Sequence, residues 1–204
     1  MSSAEENYNN VFGDIDLELL DLILKGHFSS VKKILDVGCG EGRNLIYFFQ
    51  RDFDVYAIDT DQSSVDLVKY MARSFGKDPQ KILLRSIFED HTDIARMDAI
   101  ICSRVLHFCE NEKEFLNGWK NIIQILKPGG LLYFSSDSMI GFQDHVSKLS
   151  DHKYQFTDGS VRFLLSTELL SKMNVSDSFE YLSPAKTIHY ADQHAQSILC
   201  LKKK

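Results

Sequence analysis

The chain of 204 residues is 44% hydrophobic and 25% charged, an ordinary globular balance with enough material for one domain and a sizeable core. Its net charge of −6, carried without long acidic runs, argues against broad binding to nucleic acid or to an anionic membrane, while a local basic patch stays open. No apolar run approaches the roughly 18 residues of a membrane span, Met1 to Asn10 has no apolar signal core, and the four cysteines (Cys39, Cys102, Cys109 and Cys200) lack metal-ligand spacing, so a reduced, cytoplasmic protein with no metal site is expected.

Residues 1 to 14 are polar, with Tyr8, Val11 and Phe12 embedded, and read as a mobile arm whose aromatics either close over a ligand or pin it to the core. Ile15, Leu19, Leu22 and Ile23 then recur at helical spacing up to Phe28. A strand over Lys33 to Val37 enters the run Gly38-Cys39-Gly40-Glu41-Gly42-Arg43-Asn44. The apolar segment that leaves it starts a helix carrying on to about Arg51. Glycines at alternate positions suit a backbone wall laid against a ligand, or a tight turn with no ligand at all. The second strand, Asp54 to Ile58, ends in Asp59, about twenty residues beyond the loop, where an acid can accept from both hydroxyls of a ribose. Asp59 can also simply cap the next helix, as can Asp61 or Ser63.

Val65, Val68, Ala72 and Phe75 mark the inner face of that helix, and a third strand runs from Lys81 to Ile87. Glu89 or Asp90 just beyond it can accept from an adenine amine or lie in a solvated turn. A fourth strand, Asp98 to Ser103, leads into Arg104-Val105-Leu106-His107-Phe108 at the sheet edge where ligands of open α/β folds bind. There His107 is either close to chemistry or a structural hydrogen-bonding residue. Phe115, Trp119, Ile122 and Leu126 form the core stripe of a helix that Lys127-Pro128-Gly129-Gly130 stops before a fifth strand, Leu131 to Ser135. Residues 136 to 166 are polar and mixed, and 138–166 is the candidate substrate lid; the competing reading is a surface connection with one short helix near Phe142 to Leu149. A capped helix over Thr167 to Met173 and strand-like runs at 179–182 with 186–190, and at 196–201, complete a single expected domain, 1–204.

This alternation indicates an α/β, Rossmann-like three-layer sandwich with a seven-stranded, mostly parallel sheet and an antiparallel C-terminal strand. A dinucleotide fingerprint needs a glycine where Arg43 stands, and a phosphate loop needs a Gly-Lys-Ser/Thr ending that is absent. Instead Asp36-Val37-Gly38-Cys39-Gly40-Glu41-Gly42, Asp59, Asp98 to Ser103 and Leu126-Lys127-Pro128-Gly129-Gly130 together resemble a class I S-adenosylmethionine-dependent methyltransferase over residues 31 to 136. Arg43-Asn44 is similar to the tellurite-resistance and thiopurine-type branch. The resemblance implies S-adenosylmethionine as cofactor and S-adenosylhomocysteine as product. It implies that Asp36 faces the methionine ammonium, that Gly38 and Gly40 lie against the amino-acid moiety, that Asp59 holds the ribose, that Phe88 or Glu89 meets the adenine, and that Ser103 offers its carbonyl to the ammonium; Arg43 either reaches the cofactor carboxylate or lies in a surface salt bridge.

The cofactor's sulfonium is an already activated methyl donor, so the protein must mainly place an acceptor in line and exclude water; a general base is needed only where the acceptor loses a proton. His107, His145 and His152 are the candidate bases. No Asn/Asp-Pro-Pro-Tyr/Phe element or Pro-Cys nucleophile is present, which points away from amino-methylating DNA and glutamine enzymes and from cytosine C5 chemistry, while the resemblance of Arg43-Asn44 to the tellurite-resistance and thiopurine-type branch implies a small-molecule substrate with a soft nucleophile. A non-catalytic S-adenosylmethionine-binding or partner-binding module, a methyltransferase acting on protein or RNA, and a nicotinamide-dependent oxidoreductase are the alternatives.

Overall fold

A computed structural model describes residues 11–89, 91, 93–156, 158–191 and 193–204. Met1 to Asn10, with Tyr8, and Asp90 therefore lie outside the described residues. The contacts divide the chain into two compact units, one ending at Ser86 and one from Ile87 to Lys204.

In the first unit, helix α1 (Leu17–Leu24) buries Leu19, Leu22 and Ile23, the spacing its sequence carries, while Leu17 and Leu24 face outward. Strand β1 (Lys33–Val37) pairs in parallel with β2 (Asp54–Asp59) from Lys33↔Asp54 to Val37↔Ile58, and β2 pairs in parallel with β3 (Ile82–Leu84). Ile34, Leu35, Val55, Ala57, Ile58 and Ile82 are all almost wholly buried, the near-continuous apolar content of parallel strands. The helix after the glycine loop is a single turn, α2 (Ile46–Phe49), shorter than the run to Arg51 that its apolar content predicts. Helix α3 (Gln62–Ser74) starts at Asp61, whose carboxylate accepts from the Ser64 N–H at 2.8 Å, and buries Val65, Val68 and Ala72. Phe75 falls past its end, 40% exposed, and stacks on Phe49.

In the second unit, β4 (Met97–Ser103) pairs in parallel with β5 (Leu126–Ser138). Between them runs helix α4 (Glu112–Ile125), capped by Asn111, which accepts from the Glu114 N–H at 3.0 Å while Glu114 reaches back to the N–H of Glu110 at 2.6 Å. The Lys127-Pro128-Gly129-Gly130 turn lies inside β5 rather than before it. Met97 pairs with Leu126 but Ala99 with Leu131, so the four residues are accommodated as a register break, held by Lys127 on Asp98 at 2.5 Å. β5 also extends to Ser138, beyond the end predicted at Ser135, because its last residues pair with the C-terminal strand β11 (His194–Lys203) in antiparallel register, Ala195↔Ser138 to Lys202↔Leu131. Two further strands, β9 (Phe179–Tyr181) and β10 (Lys186–Tyr190), pair separately with β11, so among the described residues the main-sheet strands number eight where seven are expected. The arrangement is mixed α/β, with β1 and β2, β2 and β3, and β4 and β5 paired in parallel and the C-terminal strands antiparallel.

The segment 138–166 has structure of its own. The short helix expected near Phe142 to Leu149 is present as a single 3-10 turn, Gln143–His145, and the rest of the segment forms an antiparallel three-stranded sheet, β6 (Ser147–Ser150), β7 (Lys153–Gln155) and β8 (Val161–Phe163). Phe142, Tyr154, Phe156, Leu164 and Ala195 make a small apolar cluster beneath it. Two short helices, α5 (Thr167–Lys172), capped by Ser166, and α6 (Val175–Ser178), follow. The Trp119 indole donates to the Met173 carbonyl at 3.0 Å, tying α4 to the end of α5.

Candidate functional site

At the carboxyl ends of β1 and β2, Gly38 and Cys39 both donate backbone N–H bonds to the Ile58 carbonyl, at 2.8 and 3.1 Å. Asp59 then closes the loop: one carboxylate oxygen accepts from the Gly40 N–H at 2.7 Å and the other from the Asp61 N–H at 2.9 Å. Because Asp61 caps α3, Asp59 is not spent as the helix cap. Each of its oxygens has a second lone pair available to a ligand hydroxyl.

The glycines divide by role. Gly40 has φ +49° and a side chain there would meet nothing within 4 Å, so its backbone faces open space. Gly42, with φ +78°, would drive a methyl group to 3.1 Å from Val68 and 3.5 Å from the Met71 sulfur, so this glycine serves the close approach of the loop to α3.

Asp36 is 2% exposed. Burial pushes its carboxyl well above the usual carboxylate range; Arg43 opposes this, and Asp16 and Asp59 reinforce it. Arg43 itself is committed to the N-terminus of α1, with its guanidinium 2.6 Å from Asp16 and 3.3 Å from the Asp14 carbonyl, and Asn44 accepts from the Asp16 N–H at 3.0 Å. The Arg43-Asn44 pair that resembles the tellurite-resistance and thiopurine-type branch thus has a local anchoring role.

In the second unit, the Phe88 ring is half-buried and lies where a side chain on Gly118 would sit, 2.8 Å from that position. Asn117 and Asn121 of α4 hold the loop around it, donating to the carbonyls of Phe88 at 3.2 Å, Ile87 at 2.7 Å and Glu89 at 3.0 Å. Ser103, at the end of β4, shares a 3.3 Å hydroxyl contact with Ser135.

The three candidate histidines have different surroundings. His107 is 4% exposed and packs on Phe108 with ring centroids 4.1 Å apart. Burial pushes its imidazole down to about 4, so it is neutral at neutral pH, and its Nδ1 has no hydrogen-bond partner. His145 is exposed and stacks on Phe142. His152 pairs with Glu112 at 3.1 Å, and Glu112 also binds Lys172 at 2.9 Å, which makes His152 a structural tie between the 138–166 segment and α4. The Cys109 thiol is pushed up to about 12 by burial and Cys39 higher still, so neither is poised as a nucleophile.

One cluster has no local sequence signal. Asp137, fully buried in β5, meets Arg162 of β8 at 2.7 Å and lies 3.4 Å from the Nε of Arg104. Its polar neighbours Ser135, Ser136 and Ser138 are also fully buried, although the run from 136 on reads as irregular. A polar run directly after the apolar part of a strand was the available clue.

A cleft of about 550 Å³ beside the end of α4 is lined by Arg96, Asn121 and Lys203. Its lysine donates to the carbonyls of Ile123 and Leu126 at 2.6 and 2.8 Å, satisfying the helix C-terminus.

Comparison with known proteins bears on this geometry. Residues 35–134 match the family described as a methyltransferase domain. A ubiquinone biosynthesis O-methyltransferase of Rickettsia bellii (strain OSU 85-389) is 30% identical over 115 residues, covering 55% of this chain and 46% of that protein. The chain thus aligns with about half the length of this curated relative. An S-adenosylmethionine-dependent methyltransferase structure from Clostridium acetobutylicum ATCC 824 superposes with a TM-score of 0.67 at 17% identity, covering 94% of this chain and 95% of that one. The N-methyltransferase NodS of Bradyrhizobium japonicum WM9, in complex with S-adenosyl-L-homocysteine, gives 0.63 at 14% identity over 99% and 93%. Among the described residues no helix is long and apolar enough to cross a membrane. Residues 35–134 thus carry a methyltransferase domain, and the chain shares the fold of S-adenosylmethionine-dependent methyltransferase structures.

Proposed function

We propose that the chain transfers a methyl group from S-adenosylmethionine to a small-molecule acceptor. The observation that carries this reading is the end of β1 and β2, where Asp59 fixes the backbone of Gly40 against open space and Asp36 stays buried nearby in the same strand-loop unit. These residues fit the cofactor. A cationic amino group beside Asp36 supplies the counter-charge that burial demands, since Arg43 is held by Asp16. Gly38 and Gly40 admit the amino-acid moiety without side-chain obstruction, and the second lone pairs of Asp59 accept ribose hydroxyls. The roles the resemblance gives Phe88 and Ser103 belong to the same proposal.

The sulfonium supplies an activated methyl group, so what remains for the protein is to orient the acceptor and manage its proton. The name of the Rickettsia relatives supports oxygen as the acceptor atom and a small molecule as its carrier. A hydroxyl acceptor needs a proton acceptor, and His107 is neutral at neutral pH with Nδ1 uncommitted. His145, exposed and stacked on Phe142, is the weaker candidate.

S-adenosylhomocysteine at saturation raises the melting temperature of the protein, and Asp59→Ala removes most of that shift. No shift at saturating ligand overturns the assignment. Methyl-labelled donor incubated with a metabolite extract, with protein and with RNA then identifies the acceptor class. Tight cofactor binding without transfer to any of them replaces the enzyme with a non-catalytic binding module.

A further inference from the structure

The second unit contains a charge arrangement that the cofactor does not use. Asp137 has a fully buried side chain and two guanidinium partners, Arg162 at 2.7 Å and Arg104 at 3.4 Å, which leaves one positive charge in excess in a chain whose net charge is −6. The contacts are unequal. Arg162 makes an aligned hydrogen bond and lies over the Phe156 ring, 4.8 Å from its centroid. Arg104 is within ion-pair distance, yet neither its Nε nor the facing Asp137 Oδ1 has a hydrogen-bond partner, although both atoms are buried. Buried polar atoms left without partners are uncommon and call for a bound group.

Three further observations converge on the same place. Arg104 has φ +58°, a left-handed conformation uncommon for a non-glycine residue and shared in this chain by His152, Asn174 and Ala191, and it is fixed there by its N–H on the Ser135 carbonyl at 2.9 Å. His107, three residues on, interacts with Asp137, Arg104 and Arg162 and presents a buried Nδ1 without a partner. Phe108, its ring tilted 45° against His107, is 74% exposed.

We infer that Arg104 and Arg162, steadied by Asp137, form the subsite for an anionic group on the methyl acceptor, and that the acceptor is a small hydroxy acid whose hydroxyl meets His107. The carboxylate accepts from guanidinium N–H groups left over after Asp137 is satisfied, since each arginine has five. The hydroxyl gives its hydrogen bond to Nδ1 of His107, and an aromatic or aliphatic body covers Phe108. This inference rests on the methyltransferase reading and names the substrate class of that activity.

The test uses the full chain, saturated with S-adenosylhomocysteine and labelled at the arginine side chains. It is titrated with 3-hydroxybenzoate and, separately, with the uncharged twin 3-hydroxybenzamide. The anion is expected to shift the Arg104 and Arg162 Nε–H resonances saturably and to bind at least about tenfold more tightly than the amide, the difference that one charge-assisted hydrogen bond supplies. Arg104→Gly, which suits the left-handed backbone, is expected to remove that preference. Equal binding of the two probes, unmoved arginine resonances, or a preference that survives Arg104→Gly overturns the inference. Thermal stabilisation by S-adenosylhomocysteine, read on the same samples, reports on the cofactor assignment separately: if it is present while the anion preference is absent, only the acceptor subsite fails.

Discussion

Asp36 in β1 and Asp137 in β5 are both buried carboxylates, and their environments drive them in opposite directions. Burial pushes Asp36 well above the usual carboxylate range, with Arg43 opposing only in part. Burial acts on Asp137 in the same sense, but His107, Arg162 and Arg104 outweigh it and hold the carboxyl below that range. The difference lies in where the arginines are spent. Arg43 reaches away to Asp16, whereas Arg162 and Arg104 converge on Asp137. Burial alone therefore does not decide the charge of a strand-end acid; its committed partners do. One site lacks a cation and suits a cationic ligand, while the other carries a surplus of cations and suits an anionic one.

The largest test of this contrast removes a partner from the second site. Arg162→Met leaves Asp137 buried with only the misaligned Arg104, and breaking a buried pair from one side costs about 3–5 kcal/mol. Urea unfolding is expected to show a loss of that order. A loss below about 1 kcal/mol would mean that Arg104 or water already satisfies the carboxylate, and that the two acids differ less than the geometry implies.

The next effect is titration of His107 beside Asp137. In the folded chain this imidazole stays neutral down to about pH 4, against 6.5 for the free side chain. Between those values the unfolded state binds more protons, so stability falls as the pH falls through that window, by about 3 kcal/mol in all. Asp36 has the opposite sign, because its raised carboxyl holds a proton in the folded state that the unfolded chain has already released. The stability of His107→Gln, followed by urea unfolding from pH 7 to pH 4, is expected to lose most of the acid-side decline. An unchanged slope would assign the decline to other groups.

How visible these two sites are in the amino-acid sequence follows from how each is assembled. The Asp36 site is built within one strand, loop and strand, so glycine spacing and a following acid mark it, and β1, β2 and the face of α3 follow from local periodicity. The Asp137 site joins residues 25 and 33 positions away, Arg162 and Arg104, and no local period links them. Ser136 to Ser138 also reads as a polar loop, because the pairing with β11 that buries it is a tertiary event. The β6–β8 sheet was hidden for a related reason: strands of three or four residues, with β6 exposed throughout, carry no readable alternation. At two loop positions the structure shows the second of the two roles that the sequence leaves open. Gly42 serves the tight turn, required by Val68 and Met71, and Arg43 lies in a salt bridge with Asp16.

A smaller effect is expected at Asp59, whose two oxygens hold the Gly40 and Asp61 N–H groups at 2.7 and 2.9 Å. Asp59→Ala releases both. Because the site is only partly buried, water recovers part of the loss, leaving a cost of about 2 kcal/mol in the unliganded chain. Asp59→Asn can accept on one side only and is expected to fall between the two. If Asn matches wild type in urea unfolding, one of the two hydrogen bonds contributes nothing.

The smallest change in the unliganded protein, and the sharpest for the comparison, is Asp36→Asn. A buried carboxyl that burial drives toward its neutral form loses little when replaced by a neutral amide, so unliganded stability is expected to stay within about 1 kcal/mol of wild type. The liganded protein should differ. A cationic amino group beside Asp36 favours the ionised carboxylate, so binding of S-adenosylhomocysteine to the wild type below the raised pKa of Asp36 releases a proton, and binding tightens as the pH rises through that value. Calorimetry in two buffers of different ionisation enthalpy measures the released proton directly. Asp36→Asn is expected to abolish it and to weaken binding by about tenfold, the worth of one charge-assisted contact. Proton release that persists in Asp36→Asn would place the titrating group elsewhere. Asp36 would then be a buried acid without a ligand, and its difference from Asp137 would be one of packing alone.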